Sequence, residues 1–158
     1  MEKILVSACL IGAPVRYDGA DKLIRAGLLE TWRNERRLVP VCPETAGGLP
    51  VPRPPAEIMN SRVIDRNGRD VTLEFEAGAR AALDLARTHG CRFALLKENS
   101  PSCGSNFIYD GSFSGAKLSG AGVSAALLAM NGVRVFSEHE IERLGAAIAA
   151  TEAVSCEG

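Results

Sequence analysis

Three of the five cysteines in this 158-residue chain, Cys9, Cys42 and Cys103, follow short apolar runs. Cys9 closes ILVSA, Cys42 closes LVPV, and Cys103 lies a few residues beyond FALL. If those runs are strands of one sheet, the thiols meet at one edge, where neighbouring strands lie roughly 5 Å apart and can share a small inorganic centre. Structural zinc usually takes four ligands and often uses CxxC pairs, and this chain has neither. His89 and His139 do not complete the set, because they read as solvated or capping residues at helix ends. Soft thiolates without imidazole favour iron–sulfur chemistry, in which a cube held by three cysteines leaves one iron open as a Lewis acid. Two other readings stand beside it. Cys103 could be a metal-free nucleophile with a thiol pKa lowered by loop amides, or the three could be unconnected small core residues.

The elements that position these thiols follow from periodicity. Continuous apolar runs predict buried strands over 4–8, 38–41, 93–96 and 133–136. Between them, Asp21 is expected to cap a helix with Ile24, Leu28 and Trp32 at four-residue spacing, and Thr72 to cap one that buries Phe75, Ala79, Ala82, Leu83 and Ala86 before Gly90 stops it. Residues 123–130 read as a further helix. Ser137 with Glu140 makes a capping box for a last helix reaching about Ala150, with 151–158 expected to fray. Asn67-Gly68 predicts a hairpin over 62–71, a small ornament. The alternation implies a single α/β, Rossmann-like domain over 1–150 with a mainly parallel sheet and helices on both faces. Ligands bind such sheets at the carboxyl ends of the strands. Cys9, Cys42 and Cys103 belong there, whereas Cys91 precedes its strand and Cys156 lies in the tail. The glycine- and serine-rich stretch 95–122 reads as a strand running into a long functional loop; its apolar anchors Phe107, Ile108, Tyr109 and Phe113 argue against disorder, and 106–121 is expected to close over the site. Tyr17-Asp18-Gly19 and Tyr109-Asp110-Gly111 read as turns, and Arg53 as a solvated residue in a stiff segment.

Charge narrows the partners. The formal net charge is −1 with both signs interspersed, so no basic stripe tracks a long nucleic acid. The N-terminal run MEKILVSACLIG is too short to span a membrane and has no basic leader, which gives the expectation of a cytoplasmic protein with reduced thiols.

The segments KILVSACL with VRYDG, VPVCPE with GGLPVPRPPAEI, LLKENSPSCGS with IYDGSFSG, and GAGVSAALLAMNGVRVFSE resemble, in order, the YbbK-like bacterial family. That family was long described as a domain of unknown function and includes the thiouracil desulfidases. The resemblance runs from about Lys3 to Glu138 and implies a [4Fe-4S] cluster held by Cys9, Cys42 and Cys103. It further implies non-redox, hydrolytic removal of sulfur from a small thiolated heterocycle such as 2-thiouracil. The glutamate of VCPE, Glu44, is implied as the catalytic proton acceptor. Ser100 is the candidate proton relay or hydrogen-bond donor, and Ser102 a candidate for bonding substrate. The alternative is a non-catalytic iron–sulfur or sulfur-trafficking module.

Overall fold

The computed structural model describes residues 1–20, 22–23 and 26–157, with Cys156 and Glu157 described by backbone alone. Strand β1 (Ile4–Ser7) runs into a 3-10 turn at Ala8–Ile11, and helix α1 (Gly27–Asn34) leads to β2 (Leu38–Val41). A one-turn helix, α2 (Pro43–Ala46), starts directly after Cys42 and is followed by strands β3 (Ala56–Met59) and β4 (Arg62–Asp65). Then come α3 (Thr72–His89), β5 (Phe93–Leu96), β6 (Phe107–Tyr109), β7 (Lys117–Ser119), α4 (Val123–Met130), β8 (Arg134–Ser137) and α5 (Ile141–Glu157).

The main sheet is parallel in the order β2-β1-β5-β8. Ile4 pairs with both Leu38 and Phe93, so β1 is central and its carboxyl end is level with those of β2 and β5. All four residues of β1 are buried, as a parallel strand covered on both faces requires. Leu5 packs with Val41, Ala82, Ala86, Leu96 and Leu128 on the α3 and α4 side, while Ile4 and Val6 pack with Leu29, Trp32, Leu95 and Leu144 on the α1 and α5 side. Each fully buried leucine of this kind contributes roughly 1.5–3 kcal/mol. This is the α/β sheet with helices on both faces that the alternation of elements predicts.

Several local expectations are corrected. The full antiparallel ladder is the β3–β4 hairpin, turning at Asn60 and Ser61, both with positive φ (51° and 63°), ahead of the hairpin expected over 62–71. The reversal expected at Asn67-Gly68 is present but short: Asp65 Oδ1 accepts from the N–H groups of Asn67 and Arg69, Asp65 N–H donates to Arg69 O and Val71 N–H to Val63 O, and Ile64 and Asp70 form one antiparallel bridge. Positive φ at both central residues matches strand twist, and Asn60 and Ser61 supply it, whereas at 67–68 only Gly68 (φ 85°) has it. Thr72 does not cap α3; its N–H and hydroxyl both donate to Asp70, and its oxygen accepts from Val63 N–H. The expected cap Asp21 and the position Ile24 lie outside the described residues. The stretch after Cys103 is not structureless, because β6 and β7 form an antiparallel hairpin. The last helix passes Ala150 and continues through Glu157. Within it Glu152 accepts from the Arg37 guanidinium and from Glu2 N–H.

Candidate functional site

Cys9 lies in the 3-10 turn continuing β1, Cys42 stands between β2 and α2, and Cys103 lies in the turn after β5. All three line one inner hollow of about 70 Å³ together with Ser7, Arg16, Tyr17, Glu44, Arg53, Lys97 and Ser100. It adjoins an outer groove of about 600 Å³ that shares Arg16, Tyr17, Glu44, Lys97 and Ser100.

The thiols are free, with no disulfide among Cys9, Cys42, Cys91 and Cys103. Burial pushes the Cys9 thiol up to about 11, Cys42 adds to the rise, and Lys97 and Arg16 oppose it. Burial pushes Cys103 up to about 12 against the opposing Ser7 hydroxyl, with Glu44, Cys9 and Cys42 contributing to the rise. The loop amides therefore do not lower Cys103, and the metal-free nucleophile loses its physical support. Among the described residues no three His, Cys, Asp or Glu side chains are gathered around a point that could hold a single metal ion. The three thiols instead stand around the wall of a shared hollow, which suits a multi-iron centre in which each thiolate takes a different iron. Soft sulfur donors without imidazole fit that group, and its positive charge would supply what these buried thiols need to release their protons.

Glu44 is in the first turn of α2, and α2 is set by backbone contact with α3. A Cβ on Gly78 would stand 1.9 Å from Pro43 O, and one on Gly47 would stand 1.9 Å from Glu74 O. Only glycines permit that approach, so the placement of Cys42 and Glu44 depends on two residues outside the site. Burial raises the Glu44 carboxyl above its ordinary range, and Arg53 opposes the rise without cancelling it. Arg53 is not solvated, as its place in a proline-rich segment suggested. It is 8% exposed, with Nε donating to Glu44 Oε1 (3.1 Å), Nη1 to Pro50 O (3.0 Å) and Nη2 to Val15 O (2.9 Å).

Ser100 reaches both hollows. Its Oγ accepts from the N–H groups of Ser102 (3.1 Å) and Cys103 (3.0 Å), folding the turn that carries Cys103. Ser102 is not brought to the site. It is fully buried, its hydroxyl is paired with Ser124 Oγ at 2.8 Å, and its carbonyl accepts from the first amides of α4. The expected substrate contact is therefore spent on holding α4.

Sequence reading missed Lys97 and Glu98. Lys97 Nζ donates to Glu138 Oε1 (2.8 Å) and to Glu98 O (2.9 Å) at the rim of both hollows. Glu98 Oε1 accepts from Ser105, Asn106 and Phe107 N–H, and Oε2 from Asn106 Nδ2, which sets the chain beyond Cys103. Their place directly after a buried strand was the available signal. Tyr17 and Tyr109 both face the outer groove, and the aspartate following each accepts from the backbone N–H two residues on, so the repeated Tyr-Asp-Gly is a pair of Asx turns.

Comparison with known proteins gives the family of the chain. The sequence model for 2-thiouracil desulfurase matches residues 4–140, most of the chain. This chain belongs to the 2-thiouracil desulfurase family. Within the family it is 43% identical over 148 residues to the Bacillus subtilis (strain 168) protein YbbK, covering 87% of this chain and 97% of YbbK. A solved structure of the [4Fe-4S]-dependent thiouracil desulfidase TudS superposes with a TM-score of 0.93 at 51% identity, covering 95% of this chain and 99% of that one. Among the described residues no helix is long and apolar enough to cross a membrane.

Proposed function

We propose that this protein hydrolyses the C=S bond of a small thiocarbonyl compound, 2-thiouracil or a related thiolated base, using a [4Fe-4S] cluster held by Cys9, Cys42 and Cys103. The observation that carries this reading is the convergence of three free thiols from three parallel strand ends on one hollow beside a desolvated carboxylate. When bound, the cluster supplies an open, Lewis-acidic iron that polarises the thiocarbonyl. Water supplies the oxygen that replaces sulfur, so the thiocarbonyl and one water become a carbonyl and one hydrogen sulfide with no net change in oxidation state.

The chain's residues manage position and protons. Glu44 accepts the proton of the attacking water; burial makes it a stronger base than an exposed carboxylate. Arg53 bonds Oε1 and leaves Oε2 free for that water. The Ser100 oxygen already accepts two backbone N–H groups, so its own O–H remains to donate to the ring nitrogen or the departing sulfur. Lys97, with two of its three N–H groups spent on Glu138 and Glu98 O, keeps positive charge at the mouth where sulfide departs.

The test is oxygen-free purification, iron and acid-labile sulfide analysis, and incubation with 2-thiouracil while sulfide and uracil are followed. A brown protein that releases both products in equal amounts is expected. A brown protein that turns over no thiolated base would instead select an iron–sulfur or sulfur-trafficking module, and a colourless active protein would overturn the cluster.

A further inference from the structure

The far wall of the outer groove is built by the tip of the β6–β7 hairpin, with Tyr109, Phe113 and Gly115 facing it. That tip is held by the β3–β4 hairpin, whose Ala56 and Glu57 line the groove beside it. Glu57 is 9% exposed, and its Oε1 accepts from the backbone N–H groups of both Gly111 (3.0 Å) and Phe113 (3.1 Å). The two hairpins touch backbone to backbone at Gly111, where a Cβ would stand 2.9 Å from Met59 Cβ and 3.0 Å from Ile58 O. Arg66, just beyond β4, lays its guanidinium over the Phe113 ring at 5.7 Å. Phe113 has a left-handed φ of 57°, which a residue with a bulky side chain adopts only where its surroundings impose it.

We propose that Glu57 is a positioning residue: its carboxylate latches the tip of the β6–β7 hairpin so that Phe113 and Tyr109 form a fixed aromatic wall for the planar ring of the substrate. One oxygen gathers two amides that point the same way, and a charged acceptor bonds them more strongly than a neutral one. The latch fixes the Phe113 backbone, and the Arg66 contact fixes its ring. The inserted hairpin therefore shapes the groove without contributing a reacting atom. The substrate assignment rests on the desulfuration reading, whereas the latch rests on geometry alone.

The experiment compares cluster-loaded wild-type protein with Glu57→Ala, Glu57→Gln and Gly111→Ala. Glu57→Ala should keep its iron and exchange the amides of 110–116 at least roughly tenfold faster, while KM for 2-thiouracil rises roughly tenfold and kcat stays within about twofold, the scale of one lost bonding site. Glu57→Gln keeps an acceptor oxygen and should restore most of the protection and the KM. Gly111→Ala forces the hairpins apart from the other side and should reproduce the Glu57→Ala pattern. Unchanged exchange over 110–116 in Glu57→Ala would overturn the latch, and faster exchange with unchanged KM would overturn its role at the groove. A wild-type protein without turnover would be a failure of the desulfuration reading, and the exchange measurement would still decide the latch.

Discussion

Cys91 and Cys103 flank the same strand, each is 5% exposed, and burial raises the thiol pKa of both. At the amino end of β5, Cys91 packs into the α3 and α4 core with no second thiol beside it among the described residues. Arg37 donates to Glu2 O and pairs with Glu35 and Glu152. At the carboxyl end, Cys103 meets Cys9, Cys42 and Glu44 around a hollow. Burial of a thiol therefore does not mark a site; what marks it is the convergence of three thiols and a carboxylate on one hollow. The comparison breaks most sharply under substitution. Replacing Cys9, Cys42 or Cys103 with alanine should each abolish iron binding, visible absorbance and turnover, whereas Cys91→Ala should keep all three. Iron retained by Cys42→Ala, or lost from Cys91→Ala, would remove the distinction between the two ends.

Glu44→Gln sharpens the contrast within the thiol end by separating chemistry from assembly. It preserves shape and an acceptor for Arg53 but cannot take a proton. Iron content should stay at the wild-type level while kcat falls by roughly 10²–10⁴. Loss of colour as well would make Glu44 a structural residue. At the opposite edge, Arg37→Ala should leave iron and kcat unchanged and destabilise the fold by about 2 kcal/mol, read as a lower denaturation midpoint. The estimate counts a buried guanidinium bond to Glu2 O and discounts the ion pairs to half-exposed Glu35 and Glu152 for solvent screening.

The sheet and the thiol edge were legible because they depend on local signals. The apolar runs of β1, β2 and β5 and their abrupt ends at polar or turn residues place Cys9, Cys42 and Cys103 on one side whatever the strand order. Three features depend on approaches between distant segments and had no local mark. Arg53 looks solvated among prolines, and only the meeting of its segment with Val15 and Glu44 buries it. Gly78 looks like a poor residue in the middle of a helix until α2 is laid against it. Ser102 had the composition of a site residue, but its hydroxyl found Ser124 from α4, and one chain read in order does not show which neighbour a serine will meet. The longer hairpin was missed for a related reason: the ladder partner of β4 lies next to the proline-rich segment before it, and Asn60-Ser61 carries no glycine to mark the turn.

Glu98 tests the comparison at its weakest point, because it stands at the thiol end yet has the bonding of a structural group. Burial alone would raise its carboxyl, but the N–H groups of Asn106, Phe107 and Asn99 and the Asn106 side chain outweigh it and hold the group below its ordinary value. The folded protein thus binds this proton less readily than the unfolded chain does. The stabilisation is fully present above the unfolded carboxylate value, about 4.3, and is lost as pH falls through the lower folded value. Glu98→Gln should be less stable than wild type at neutral pH, because its amide presents a donor towards N–H groups that need an acceptor. The gap between the two proteins should then narrow as pH falls from about 5 towards 3, since only the wild-type side chain has a charge to lose over that interval. Denaturation midpoints measured across it decide the matter. A gap that stays constant would mean that the charge of Glu98 does not hold the chain at Ser105–Phe107, and that the bonds of Ser100 to the N–H groups of Ser102 and Cys103 set the turn without it.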